Sequence, residues 1–145
     1  MLATRRRYRH APELVSNPGM PFAVTTGFTT SNCTLSIVGG NLRLTVTANG
    51  AAYFYTTIAC EVGRYYRYEQ HIVARNLTSG ALMYVGTSSG NLAATFNQNT
   101  GSATGGKYAI FKATQATHWV TFSTSSAALA GETADLALFS VKEYV

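Results

Sequence analysis

The stretch Thr34-Leu35-Ser36-Ile37-Val38-Gly39-Gly40-Asn41-Leu42-Arg43-Leu44-Thr45-Val46-Thr47 carries the plainest structural signal in the chain. Leu42, Leu44 and Val46 alternate with polar partners, the period of a strand with one wet face. Gly39-Gly40 between two such runs predicts a tight hairpin. Asn49-Gly50 predicts a second, leading into the strand-like run Ala52-Tyr53-Phe54-Tyr55-Thr56-Thr57-Ile58. Further strands are expected over 65–74, 81–87, 92–97, 108–113 and 119–123, separated by loops at 76–80, 88–90 and 98–106. Residues 125–131 read as a loop or one helical turn. The closing run 134–144 is too apolar to lie anywhere but near the centre of a sheet. No stretch follows a 3.6-residue period. Eight or nine antiparallel strands, spaced roughly ten residues apart, predict an all-β sandwich or barrel.

Composition agrees. The 145 residues are 46% hydrophobic and 12% charged, about half the usual charged quarter. Disorder is excluded, because it needs low hydrophobicity and high net charge. With three Lys and five Glu the chain lacks the makings of a coiled coil, whereas its 20 Thr suit a pleated, half-buried surface. The net charge is +5, yet Arg5, Arg6, Arg7 and Arg9 supply four of the eleven basic residues, leaving a body near +1. Residues 1–20 have no periodic pattern and hold two of the three prolines. They predict an extended basic arm before a domain over 21–145. Such an arm suits an acidic protein surface, nucleic acid or a membrane surface, or stays a solvated terminus.

No segment approaches the ~18 apolar residues of a membrane-spanning helix. No apolar stretch follows the early arginines, so export by a signal peptide is not expected. Cys33 and Cys60 lack metal-ligand spacing and are expected to stay reduced thiols.

Few groups remain for catalysis. His10, His71 and His118 have no Gly-x-Ser-x-Gly nucleophile elbow to serve. Glu61 and Glu69 flank Arg64 and Arg67 and read as surface ion pairs rather than a glycosidase pair. The loop Gly101-Ser102-Ala103-Thr104-Gly105-Gly106-Lys107 lacks the ending and the helix of a phosphate-binding loop. No enzyme activity, cofactor or metal is expected. The tyrosines are the remaining candidates. Tyr53 and Tyr55 share a face opposite Phe54, the natural core residue. Tyr66 and Tyr68 share a face opposite Tyr65. These four, with Arg5, Arg6, Arg7 and Arg9, are the expected partner-binding residues, since tyrosine stacks on sugar rings and is enriched at interfaces. Trp119 and Phe122 point to opposite sides of a regular strand, and Trp119 is expected to be the buried one.

The order of motifs resembles carbohydrate-binding-module-like jelly rolls. Leu14-Val15-Ser16-Asn17-Pro18-Gly19 with Phe22 is similar to their opening, and Gly27-Phe28-Thr29 stands where they carry Gly-Trp-Thr. Glu61 to Tyr68 resembles their strand entry and Ala134 to Glu143 their closing strand. Ala23 stands where sugar- or calcium-binding members place an acid, so no calcium site is implied. Small free-standing versions look like phage structural proteins. The resemblance implies a jelly-roll sandwich.

The expected function is a capsid decoration (cement) protein, assembled in the host cytoplasm and carried on the virion. Its expected partner is the major capsid protein or another virion protein, and it is expected to form a homo-oligomer, a trimer being favoured. The alternative is a carbohydrate- or receptor-binding module of a phage tail or fibre, with a glycan as partner. Nucleic acid is a weaker third, because the body is poor in Lys and Arg.

Overall fold

A computed structural model describes residues 11–78, 80–101 and 104–145. Ten strands form two antiparallel five-stranded sheets packed face to face. In the first sheet the order is β1 (Thr29–Ser31), β4 (Tyr53–Ala59), β9 (Thr117–Thr124), β6 (Ala81–Gly86), β7 (Phe96–Gly101). In the second it is β2 (Cys33–Val38), β3 (Asn41–Val46), β10 (Thr133–Tyr144), β5 (Tyr65–Asn76), β8 (Gly105–Lys112). This is the jelly-roll sandwich that the sequence predicts.

The local signals explain most of it. Leu42, Leu44 and Val46 are buried while Asn41, Arg43 and Thr45 lie half-exposed. Gly39 and Gly40 close the β2–β3 hairpin with φ of 59° and 80°, a backbone that side-chain-bearing residues rarely adopt. β10 lies at the centre of its sheet, between β3 and β5. Aromatic rings from both sheets meet in the core, with Phe54 of β4 at 5.2 Å from Phe139 of β10 and 5.6 Å from Phe122 of β9. Tyr68 of β5 crosses the sandwich and its hydroxyl donates to the Thr121 carbonyl of β9 at 2.9 Å. That bond ties one sheet to the other and satisfies a fully buried phenol. Burial holds the Tyr68 hydroxyl well above its ordinary pKa, so it stays a donor.

Four expectations are corrected. Asn49-Gly50 is no hairpin: β3 and β4 belong to different sheets, and the turn crosses between them. The polar stretch after Asn97 is not all loop, because β7 runs from Phe96 to Gly101 and pairs with β6 at the edge of the sheet. The segment from Leu92 to Thr95 is correspondingly loop, and β1 is a short strand that the pattern did not reveal. The arm does not extend to residue 20. From Glu13 onward the chain lies along β10, with Leu14 N–H donating to Val141 O at 2.9 Å and Phe139 N–H to Pro18 O at 2.9 Å. Val15 and Phe22 are buried.

Candidate functional site

The five strands of the first sheet contain no Lys, Arg, Asp or Glu. Its inner face carries Phe54, Ile58, Met83, Val85, Val120 and Phe122 into the core. Strand alternation then leaves Tyr53, Tyr55, Leu82, Tyr84 and Trp119 outward, together with Thr57, Thr121 and Ser123. All five large side chains are half-buried.

Register sets these groups in rows. Tyr53 pairs with Ser123, which pairs with Leu82; Tyr55 pairs with Thr121, which pairs with Tyr84; Thr57 pairs with Trp119, which faces Gly86. Tyr55 and Tyr84 stand two strands apart, about 10 Å, with Thr121 between them. Thr121 is fully buried although it points outward, and its hydroxyl has no hydrogen-bond partner. The Tyr53 and Tyr55 rings stack at 6.4 Å, giving β4 a continuous aromatic platform. Burial raises the pKa of the Tyr84 hydroxyl, which is neutral at physiological pH.

The Trp119 row ends at a wall. A Cβ on Gly86 would lie 2.2 Å from the Asn91 carbonyl oxygen, so the loop after β6 passes directly over this position. Only glycine allows that approach. The loop is anchored at its start: Gln115 Nε2 donates to Thr87 O at 2.8 Å and to Thr117 O at 2.7 Å. His118 supports it from the core side. Its Nε2 accepts from Thr114 N–H at 3.1 Å, which leaves Nδ1–H to donate to Gly86 O at 3.0 Å. Both ring nitrogens are engaged, so His118 is a structural histidine. No cluster of three or more His, Cys, Asp or Glu that could hold a metal occurs among the described residues.

The expected site residues separate three ways. Arg5, Arg6, Arg7 and Arg9 lie outside the described residues. Tyr53 and Tyr55 take their place on the outward face. Tyr66 and Tyr68 do not: they are 4% and 0% exposed in the core. The reason is alternation, because the other face of β5 carries Arg67 and Glu69, which need water. Tyr65, on that outer face, is the exposed one at 49%. Trp119 and Phe122 lie on opposite faces, as expected, with the assignment reversed: Phe122 is core and Trp119 outward. Tyr84 and Trp119 are the functional candidates that sequence reading missed. Trp119 shares its alternation with Thr121 and Ser123, which was the available signal.

No protein-family model matches the chain, and no curated protein matches it in sequence. Solved structures do match it in shape. The N-terminal cellulose-binding domain of Cellulomonas fimi β-1,4-glucanase C superposes with a TM-score of 0.64 at 14% identity, covering 92% of this chain and 99% of that one. The fold is that of carbohydrate-binding modules. TmCBM61, solved with β-1,4-galactotriose, gives a TM-score of 0.57 at 13% identity over 92% of this chain and 99% of that one. The enzymatically active domain of bacteriophage CBA120 tailspike protein 4 gives 0.65 at 18% identity over 90% of this chain. The chain spans 21% of that tailspike structure.

Proposed function

We propose that the protein is a non-catalytic carbohydrate-binding module that holds a neutral glycan across the outer face of β1-β4-β9-β6-β7. One observation carries this reading: an uncharged sheet face presents Tyr53, Tyr55, Tyr84 and Trp119 together. Aromatic rings cover the apolar faces of sugar rings, and the Tyr hydroxyls supply donors and acceptors at their edges. The spacing of Tyr55 and Tyr84 suits consecutive rings of one chain. The wall at Gly86 limits how far a ligand extends past Trp119. Structural likeness to sugar-binding modules supports the same reading.

The capsid-decoration reading loses part of its footing. Two of its four expected tyrosine contacts, Tyr66 and Tyr68, are core residues. A glycan array followed by calorimetry tests the proposal. A neutral oligosaccharide is bound by the wild-type chain and lost in Tyr84→Ala. Absence of any glycan ligand, with binding to a purified capsid, restores the decoration reading.

A further inference from the structure

The second sheet is built differently on its outer face. Its outward positions carry Arg43, Arg67, Glu69, Lys112, Asp135 and Lys142. Arg43 and Asp135 neutralise each other across β3 and β10, in a bidentate pair with contacts of 2.7 and 2.8 Å. Arg64, just before β5, is similarly held by Glu61 at 2.6 Å and Glu143 at 2.7 Å. Lys142 differs. It stands directly across the strand pair from Arg67, and it has no carboxylate at ion-pair distance among the described residues.

Like charges directly opposite one another on neighbouring strands destabilise a sheet. The pair is retained at the side of a cavity of about 550 Å³, formed where the 13–20 segment lies beside β10. Arg67 is held in place: its guanidinium sits 4.0 Å over the Tyr108 ring, with Glu69 at 3.6 Å. Two carboxylates, Glu13 and Glu69, also line the space, so the cavity is not simply an anion trap. Glu13 already accepts from the N–H groups of Val15 and Val141 and from the Ser140 hydroxyl. Pro18, Leu138 and Met20 complete the lining, and Met20 is 68% exposed, a large apolar side chain left in water at the rim.

We infer that this cavity is a second binding site, separate from the aromatic face, for a saccharide that carries a carboxylate. The carboxylate lies between Lys142 and Arg67 and removes their mutual repulsion. Hydroxyl donors of the ring meet the Glu69 carboxylate, and the apolar ring face rests on Leu138 and Met20. A polyanion such as an acidic peptide matches the cation pair but brings further negative charge against Glu13 and Glu69. A sugar acid satisfies both signs. The site does not depend on what the aromatic face binds.

The test is an amide-resolved NMR titration of the full chain with digalacturonate, with galactobiose as the neutral counterpart and tetraglutamate as the acidic peptide. Digalacturonate is expected to shift the amides of Arg67, Leu138, Ser140 and Lys142. The other two are expected to leave these four unmoved. Lys142→Gln weakens digalacturonate at least tenfold, and Lys142→Arg restores it to within about threefold, both without moving the Tyr84 amide. Absence of shifts at those four amides overturns the proposal, as does equal binding of tetraglutamate. Binding undiminished in Lys142→Gln overturns it too. Failure of a neutral glycan to bind Tyr84 instead overturns the reading of the other face and leaves this one standing.

Discussion

The two outer faces of one sandwich obey opposite rules. The first sheet has no charged residue on any strand and keeps Tyr53, Tyr55, Tyr84 and Trp119 partly in water. The second keeps Tyr66 and Tyr68 inside and sets Tyr65, Tyr108 and Tyr144 on its outer face among ion pairs and cations. Both sheets supply the same core, so folding alone does not require the difference. Charged heads could satisfy water equally well on either face, at little cost to the fold. What sets the first face apart is that its half-buried aromatic rings stand among uncharged neighbours, the arrangement that the proposed glycan contact requires.

The largest expected effect removes the aromatic side of the contrast. The double variant Tyr55→Ala/Tyr84→Ala should lose about 2–4 kcal/mol of glycan affinity by calorimetry, the range of interface hot spots. Its unfolding midpoint should change little, since both side chains lie outside the core. Next is the wall. Gly86→Val drives side-chain atoms into the backbone of Asn91 and Leu92, so it should cost about 1–3 kcal/mol in denaturant unfolding. It should also displace the loop beside Trp119 and alter the length of oligosaccharide bound.

Tyr68→Phe separates the sheets more gently. It removes the hydroxyl donated to Thr121 O and leaves that carbonyl short of a partner, for a loss of about 1–2 kcal/mol in chemical denaturation. Glycan affinity should fall only if the Thr121 row moves with it.

The smallest effect is at the end where both crossovers meet. Glu132, in the turn between β9 and β10, accepts from the Leu129 N–H and from the N–H and hydroxyl of Thr78, which lies between β5 and β6. The Leu129 bond, then the Thr78 bonds, hold its carboxyl below the ordinary 4.5. The unfolded chain therefore binds this proton more tightly. The stabilisation is full above pH 4.5 and is lost as pH falls through the folded value. Glu132→Gln should lower the melting temperature at pH 7 and flatten its decline on acidification.

How far the sequence reveals this division depends on the strand. In β3 and β10, hydrophobic pattern and position in the sheet agree, and both are legible from Leu42, Leu44, Val46 and the closing apolar run. β4 is legible because Phe54 is the one plausible core residue between two tyrosines. In β5 the pairing of Tyr66 with Tyr68 is readable but its direction turns on Arg67 and Glu69, whose need for water outweighs the polarity of a phenol. β6 offers no such clue: Leu82, Met83, Tyr84 and Val85 are apolar on both faces, so only register against β9 shows that Tyr84 is outward. The crossing at Asn49-Gly50 is invisible locally, because a turn between sheets uses the same residues as a hairpin.

The central claim is that a neutral glycan lies on the uncharged sheet. An amide-resolved NMR titration with a neutral β-1,4-linked oligosaccharide tests it most directly. The account predicts shifts concentrated at Tyr53, Tyr55, Tyr84 and Trp119, unchanged when salt is raised severalfold, because no ion pair is involved. Shifts confined to β5, β8 and β10, or an affinity that collapses with salt, would contradict it.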